Sequence, residues 1–222
     1  MSQKTAIVFG GTGLIGGQLI EELSNSPEYA RILVFTRQKI DFPERDKIIN
    51  HVVDFENIES FKSQIAGDDL FICLGTTIKK AGSISKMEET DRDLPVALAD
   101  TALKNGTTRI AIVSSIGANE KSSNYYLRIK GEMEELIYGM DFTSVAILRP
   151  SLLLGDRKEK RTGEAVSKIF MKIFGKLLFG SLRKFRAIEA KDVAKAMIWI
   201  INNNSGKEIF ESDRIQEIAL KK

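Results

Sequence analysis

Cysteine and histidine each occur once in the 222 residues, as Cys73 and His51. A single thiol excludes an intramolecular disulfide and fits a reducing compartment. One histidine with one cysteine supplies no ligand set for a dedicated metal centre such as zinc. An excess of one charge is missing too. The 33 Lys and Arg against 30 Asp and Glu leave a net +3, too little to argue for nucleic acid. No apolar run reaches the length of a membrane span. Met1-Ser2-Gln3-Lys4 leads straight into a strand-like stretch, with no apolar segment of signal-peptide type. Internal repeats, low-complexity tracts and clear linkers are absent as well. These absences predict a soluble cytoplasmic protein of one well-packed domain.

What is present is concentrated near the start. Thr5-Ala6-Ile7-Val8-Phe9 reads as a buried strand, Gly10 to Gly17 as a glycine-rich turn, and Leu19, Ile20 and Leu23 as one face of a helix. Strand, glycine turn and helix in that order give a Gly-x-x-Gly-x-x-Gly spacing its meaning. Gly10 suits a tight turn, Gly13 lets backbone approach a pyrophosphate, and Gly16 lets the helix pack closely on the strand. The helix N-terminus offers unpaired N–H groups to phosphates. The alternative is a glycine turn with no ligand.

Further strands are predicted at 31–36, 47–53, 69–74, 107–113 and 142–148. Helices are predicted at 57–65, from Gly82-Ser83 to Asn105-Gly106, and at 122–138. Strands alternating with helices indicate an α/β fold with a Rossmann-type doubly wound parallel sheet. After the second strand, Thr36-Arg37-Gln38-Lys39 lacks the acid that binds adenosine ribose hydroxyls in NAD enzymes. Arg37 can pair with a 2′-phosphate, so NADP(H) is preferred to NAD. The competing reading is a solvated basic turn. His51 falls inside the third strand as a strand residue, and Cys73 is a small core residue. Gly75-Thr76-Thr77 is a second place where backbone could meet the adenosine half of a nucleotide.

The residues able to do chemistry gather on the fifth strand and the helix after it. Ser115 stands at the strand's C-terminal end, where open α/β sheets bind ligands. Tyr126 and Lys130 are one helical turn apart and share a face, whereas Tyr125 pairs with Ile129 and points elsewhere. Hydride reduction of a carbonyl leaves an alkoxide that needs a proton. A phenol can give it, but its ordinary pKa of about 10 is high for exchange at neutral pH. An adjacent ammonium lowers it. A serine hydroxyl polarises the carbonyl oxygen. The bland alternative is an ordinary helix on which Tyr126 packs and Lys130 reaches to solvent.

Together, Gly10-x-x-Gly13-x-x-Gly16, Ser115, Tyr126-x-x-x-Lys130 and Leu148-Arg149-Pro150 resemble the short-chain dehydrogenase/reductase superfamily, in its extended or atypical branch. Val53-Asp54-Phe55, Cys73 to Thr77, Lys80-Ala81-Gly82, Asp91-Arg92-Asp93, Lys121 to Asn124, Lys130-Gly131-Glu132 and Asp156 to Glu164 are similar to the Tat-interacting-protein-like oxidoreductases within it. The likeness runs to about Met197. It implies Tyr126 as proton donor or acceptor, Ser115 beside it, and Lys130 on the nicotinamide ribose. Cofactor contacts are implied from Gly10, Thr12, Gly13, Leu14, Ile15, Gly16, Arg37, Asp54, Phe55, Leu74, Gly75 and Pro150. Arg161 matches a basic position that meets substrate or cofactor.

Residues 1–150 form the expected cofactor-binding core, and 151–222 a small substrate-covering region with closing helices. Val166 to Leu177 has the spacing of an amphipathic helix with a basic face, and 188–202 that of a final helix holding Trp199. Gly206 to Phe210 reads as a last short strand. Two functions are compatible with this pattern. One is an NADP(H)-dependent oxidoreductase acting on a small carbonyl or alcohol. The other is a non-catalytic NADPH-binding regulator or protein-interaction module. The oligomeric state, monomer or homodimer, is left open.

Overall fold

Ala6, Ile7, Val8 and Phe9 are all fully buried, so strand β1 (Lys4–Phe9) is apolar on both faces. A strand of this kind needs helices on both sides of its sheet. The computed structural model, which describes residues 3–40, 46–155 and 179–221, has that architecture. Seven parallel strands run in the order β3-β2-β1-β4-β5-β6-β9. They are β1, β2 (Tyr29–Thr36), β3 (Ile48–Val52), β4 (Asp69–Ile72), β5 (Arg109–Val113), β6 (Ser144–Arg149) and β9 (Gly206–Glu211). Strands β7 (Leu153–Leu154) and β8 (Ile188–Glu189) make a separate two-stranded parallel pair.

On one face, Ala6 and Val8 pack with helix α1 (Leu14–Asn25) through Leu19, Ile20 and Leu23. The same face holds helix α6 (Ala190–Asn203) through Val193, Met197 and Ile200. On the other face, Ile7 and Phe9 belong to a second core. It contains Leu98 and Ala102 of α4 (Leu94–Lys104) and Met133 and Ile137 of α5 (Tyr125–Tyr138). Helix α7 (Ser212–Ala219) follows β9, and nothing in the sequence reading anticipated it.

Local physics moves several boundaries. The stretch expected to be helical over 57–65 forms two 3₁₀ turns, Ile58–Ser60 and Lys62–Gln64. Phe61 between them is buried against Phe35 and Phe55, and that packing divides the segment. The long helix expected from Gly82 is built from α3 (Ile84–Glu88), a π-helical segment Glu89–Asp93, and α4, after a single turn α2 (Ile78–Ala81). Helix α5 starts at Tyr125 rather than 122, because Asn124 caps it by accepting the Leu127 N–H. The expected basic helix over 166–177 lies outside the described residues.

The chain builds outward from β1 to β3 and then crosses back to β4, which lies against β1. At that switch the backbones nearly touch. Gly10 has φ +83°, and the Cβ it lacks would stand 2.5 Å from the Cys73 carbonyl. A Cβ on Gly16 would lie 2.1 Å from the Gly10 oxygen. The opposite end of the sheet is closed by polar groups. Asp69, with no surface exposed, accepts the Tyr29 hydroxyl at 2.7 Å. Arg109 Nη2 meets its other oxygen at 2.5 Å, and Lys4 Nζ lies 3.8 Å away. Asn202 of α6 donates to the Tyr29 oxygen at 3.2 Å and accepts from Lys4. Burial and the neighbouring Asp69 push the Tyr29 phenol far up, so it stays a donor.

Three stability predictions come from these contacts. Gly16→Ala drives a Cβ into backbone and costs about 3 kcal/mol. Gly17→Ala, whose Cβ would meet nothing closer than 3.8 Å, stabilises the helix by about 0.5 kcal/mol. Thermal unfolding of the pair separates the two. Asp69→Ala leaves Arg109, Lys4 and the Tyr29 hydroxyl without their shared acceptor and costs about 3 kcal/mol in urea unfolding.

Candidate nucleotide and active site

The loops that follow β1, β2, β3, β4, β5 and β6 all emerge at the C-terminal edge of the parallel sheet, around the switch between β1 and β4. Every expected site residue in the described chain lies on one of these loops, or on α1 or α5 beside them. Gly10 N-terminal to α1 accepts the Gly13 N–H at 2.9 Å, closing the turn. Gly13 is the N-cap of α1, exposed and extended (φ −78°, ψ 170°), and no side chain caps the helix. Thr12 is exposed beside it, while Leu14 and Ile15 turn into the first core. A twelve-residue helix that starts on bare backbone with no cap is chemically suited to a pyrophosphate. The residues present therefore fit a dinucleotide.

The loop after β2 is held from below. Asn50 donates to Val34 O at 3.0 Å and to Thr36 Oγ1 at 2.8 Å, and accepts the Ile40 N–H at 2.9 Å. Thr36 in turn donates to Gln38 O at 2.7 Å, which leaves Arg37 exposed on a fixed turn. After β3, Asp54 accepts the Glu56 N–H at 3.0 Å and orders its own turn. Phe55 packs edge-on against Phe9 and Phe61, so its ring also belongs to the core. His51 stacks on Phe35 with ring centres 4.9 Å apart, as a strand residue. Cys73 sits against Met197, 3.9 Å between sulfurs, and burial pushes its thiol up to about 12. That thiol stays protonated and is no nucleophile.

Ser115 follows β5 and is half-buried, with Pro150 nearby in the chain's path: the Pro150 carbonyl accepts the Ile116 N–H at 3.1 Å. Gly117 turns the chain with φ +79°. Helix α5 then lies hard on the preceding loop. A Cβ on Gly131 would stand 2.2 Å from the Glu120 nitrogen, and the Asn119 N–H donates to Leu127 O at 3.0 Å. This contact fixes the face that carries Tyr126, half-buried, and Lys130, only 2% exposed. Tyr125 is occupied elsewhere. Its hydroxyl donates to Glu88 at 2.6 Å, a bond that pushes the phenol up, and Arg128 covers its ring.

The sequence reading missed the partner of Lys130. Lys130 Nζ is 2.8 Å from Asp91 Oδ1, and Asp91 has no exposed surface. Burial alone would pull the ammonium's pKa down. The Asp91 carboxylate, through its charge and its hydrogen bond, and the more distant Glu134 outweigh it and hold the pKa above the ordinary lysine value, so Lys130 is charged at neutral pH. Asp91 stood in a quoted motif, but only the π-helical segment turns it inward. Arg149, beside Pro150, forks onto buried Glu134 of α5 and reaches Glu211 of β9 at 3.3 Å, tying three elements together. Arg161 lies outside the described residues. Among the described residues no cluster of three or more His, Cys, Asp or Glu could hold a metal.

A family model described as NAD(P)H-binding matches residues 10–204. Protein HTATIP2 of Rattus norvegicus is 32% identical over 224 residues, covering 99% of this chain and 90% of the relative. The mitochondrial protein FMP52 of Saccharomyces cerevisiae is 30% identical, covering 97% and 93%. Among solved structures, the UDP-glucose 4-epimerase of Thermotoga maritima matches with a TM-score of 0.68 at 16% identity, covering 93% of this chain and 75% of that one. MoeE5 in complex with UDP-glucose and NAD matches at 0.65 and 15%, covering 93% and 76%. At such identities these two share the fold alone.

The fungal relatives correct one expectation. Several are named mitochondrial, which points away from the cytoplasmic assignment. The physical reason is that a single thiol fits any reducing compartment and does not separate cytosol from organelle. Sheet order, glycine turn and relatives agree on the family. The chain belongs to the NAD(P)H-binding family, as a relative of HTATIP2 and FMP52.

Proposed function

We propose that the protein is an NADP(H)-dependent oxidoreductase that interconverts a small carbonyl and its alcohol. The observation that carries this reading is a buried, charged Lys130 one helical turn from Tyr126, beneath Gly75 at the open edge of the sheet. A bound nicotinamide would supply or accept the hydride. In the reducing direction the Tyr126 hydroxyl gives its proton to the carbonyl oxygen as hydride reaches the carbon, leaving a neutral alcohol and a phenolate. The Lys130 ammonium stabilises that phenolate and binds the nicotinamide ribose. Ser115 donates a hydrogen bond to the same substrate oxygen. Gly10, Thr12, Gly13, Leu14, Ile15 and Gly16 take the pyrophosphate, and Asp54, Phe55, Leu74, Gly75 and Pro150 line the rest of the nucleotide. Arg37 faces the 2′-phosphate of NADP, and its exposure on a turn fixed by Thr36 and Asn50 supports this. The resemblance also offers Arg161 as a substrate contact.

Nicotinamide fluorescence titration tests the cofactor without any knowledge of substrate. NADPH binds more tightly than NADH, and Arg37→Asp weakens NADPH about tenfold or more while leaving NADH unchanged. Equal affinity for the two nucleotides would overturn the preference, and binding of neither would overturn the function. For an identified carbonyl substrate, Tyr126→Phe lowers kcat about 10²–10⁴-fold with NADPH affinity retained. Full turnover by that variant would remove the mechanism. Tight NADPH binding with no turnover across a carbonyl screen would favour the regulator.

A further inference from the structure

A lysine ammonium has three protons to place, and Lys130 places them where almost no water reaches. One side of it is held by Asp91 Oδ1 at 2.8 Å. The other oxygen of Asp91 accepts the Thr76 N–H at 2.9 Å. One carboxylate thereby joins helix α5 to the backbone just beyond β4. The Cβ that Gly75 lacks would stand 3.4 Å from Asp91 Oδ1 and 3.9 Å from Lys130 Nζ. The ion pair therefore lies directly beneath bare, exposed backbone at the open edge of the sheet.

Asp91 faces inward for a local reason. It sits in the π-helical segment Glu89–Asp93, whose wider turn shifts the phase of the side chains relative to an α-helix. Its neighbour Arg92 points the other way, to Glu132 at 2.6 Å and Asp93 at 2.7 Å. Glu88, just before the segment, takes the Tyr125 hydroxyl. The outer contacts clamp the segment onto α5, and Asp91 pins it from within.

We propose that Asp91 is a positioning residue, which anchors the Lys130 ammonium under Gly75 so that its remaining protons meet a nucleotide ribose lying on that backbone. This inference rests on the nucleotide reading above. A lysine stem is flexible, and a buried ammonium without a counter-charge either swings toward water or gives up its proton. Asp91 prevents both. It also makes the end of β4, where the nucleotide would lie, and the helix of Tyr126 one mechanical unit. A carboxylate is required, because a neutral side chain of the same shape supplies no counter-charge.

The test is a double-mutant cycle read by NADPH affinity, which needs no substrate. Its corners are the wild type, Asp91→Asn, Lys130→Met and the double variant. Each single substitution is expected to weaken NADPH about tenfold, with the double variant no weaker than Lys130→Met alone. In thermal unfolding the double variant is expected to melt above Lys130→Met, which leaves Asp91 buried without its cation. Multiplying losses, or wild-type affinity in Asp91→Asn, would overturn the positioning role while the nucleotide reading stands. If Asp91→Asn fails to fold, the comparison of the double variant with Lys130→Met decides alone. Equal affinity then supports the role, and a further tenfold loss overturns it. A wild-type protein that binds no NADPH fails the nucleotide reading itself, and the positioning role falls with it.

Discussion

Everything at the open edge depends on how closely two pieces of backbone approach. Gly10 meets the Cys73 carbonyl and Gly16 meets the Gly10 oxygen at distances no side chain could share. That approach brings α1 down onto the sheet and draws the ends of β1 and β4 together. It leaves an uncapped helix N-terminus facing outward over the gap. The steric constraint and the binding chemistry are one feature. Backbone that cannot tolerate a Cβ is also backbone that a phosphate can approach.

The two ends of the sheet treat charge in opposite ways. At the closed end, Asp69 is surrounded by donors on β1, β2 and β5, Asn202 of α6 holds two of those donors, and the cluster is shut off from solvent at its centre. At the open end, Asp91 and Lys130 neutralise each other under an exposed glycine. Buried pairs of this sort seldom add much stability over an apolar core. Their value here is placement: one locks strand ends into register, and the other holds an ammonium still.

Much of this was legible from residue types. Alternating apolar strands and helices gave the sheet, and the glycine spacing gave the turn, because both follow from local sterics and burial. Tyr126 and Lys130 share a face because four residues make roughly one helical turn. Asp91 was hidden for the converse reason. Its inward direction depends on a π-helical segment, and a phase shift within a helix leaves no trace in the apolar spacing. Helix α7 is short, and Asp213, Arg214 and Glu217 interrupt its apolar spacing, so its buried Ile215 and Ile218 give little signal in the sequence. Phe61 split a predicted helix by packing with Phe35 and Phe55, partners far from it in sequence or set by tertiary contact.

Trp199 is the only tryptophan of the chain, and it lies one turn before Asn202 on α6, on the side of the closed end. The Lys221 ammonium stands 4.3 Å from the centre of its ring, so a cation near the end of the described chain covers that indole. Detachment of that C-terminal segment would strip a cation from one chromophore while leaving the tyrosines of the open edge untouched. The emission of Trp199 is thereby tied to the seating of Lys221 and not to the open edge where a nucleotide would lie.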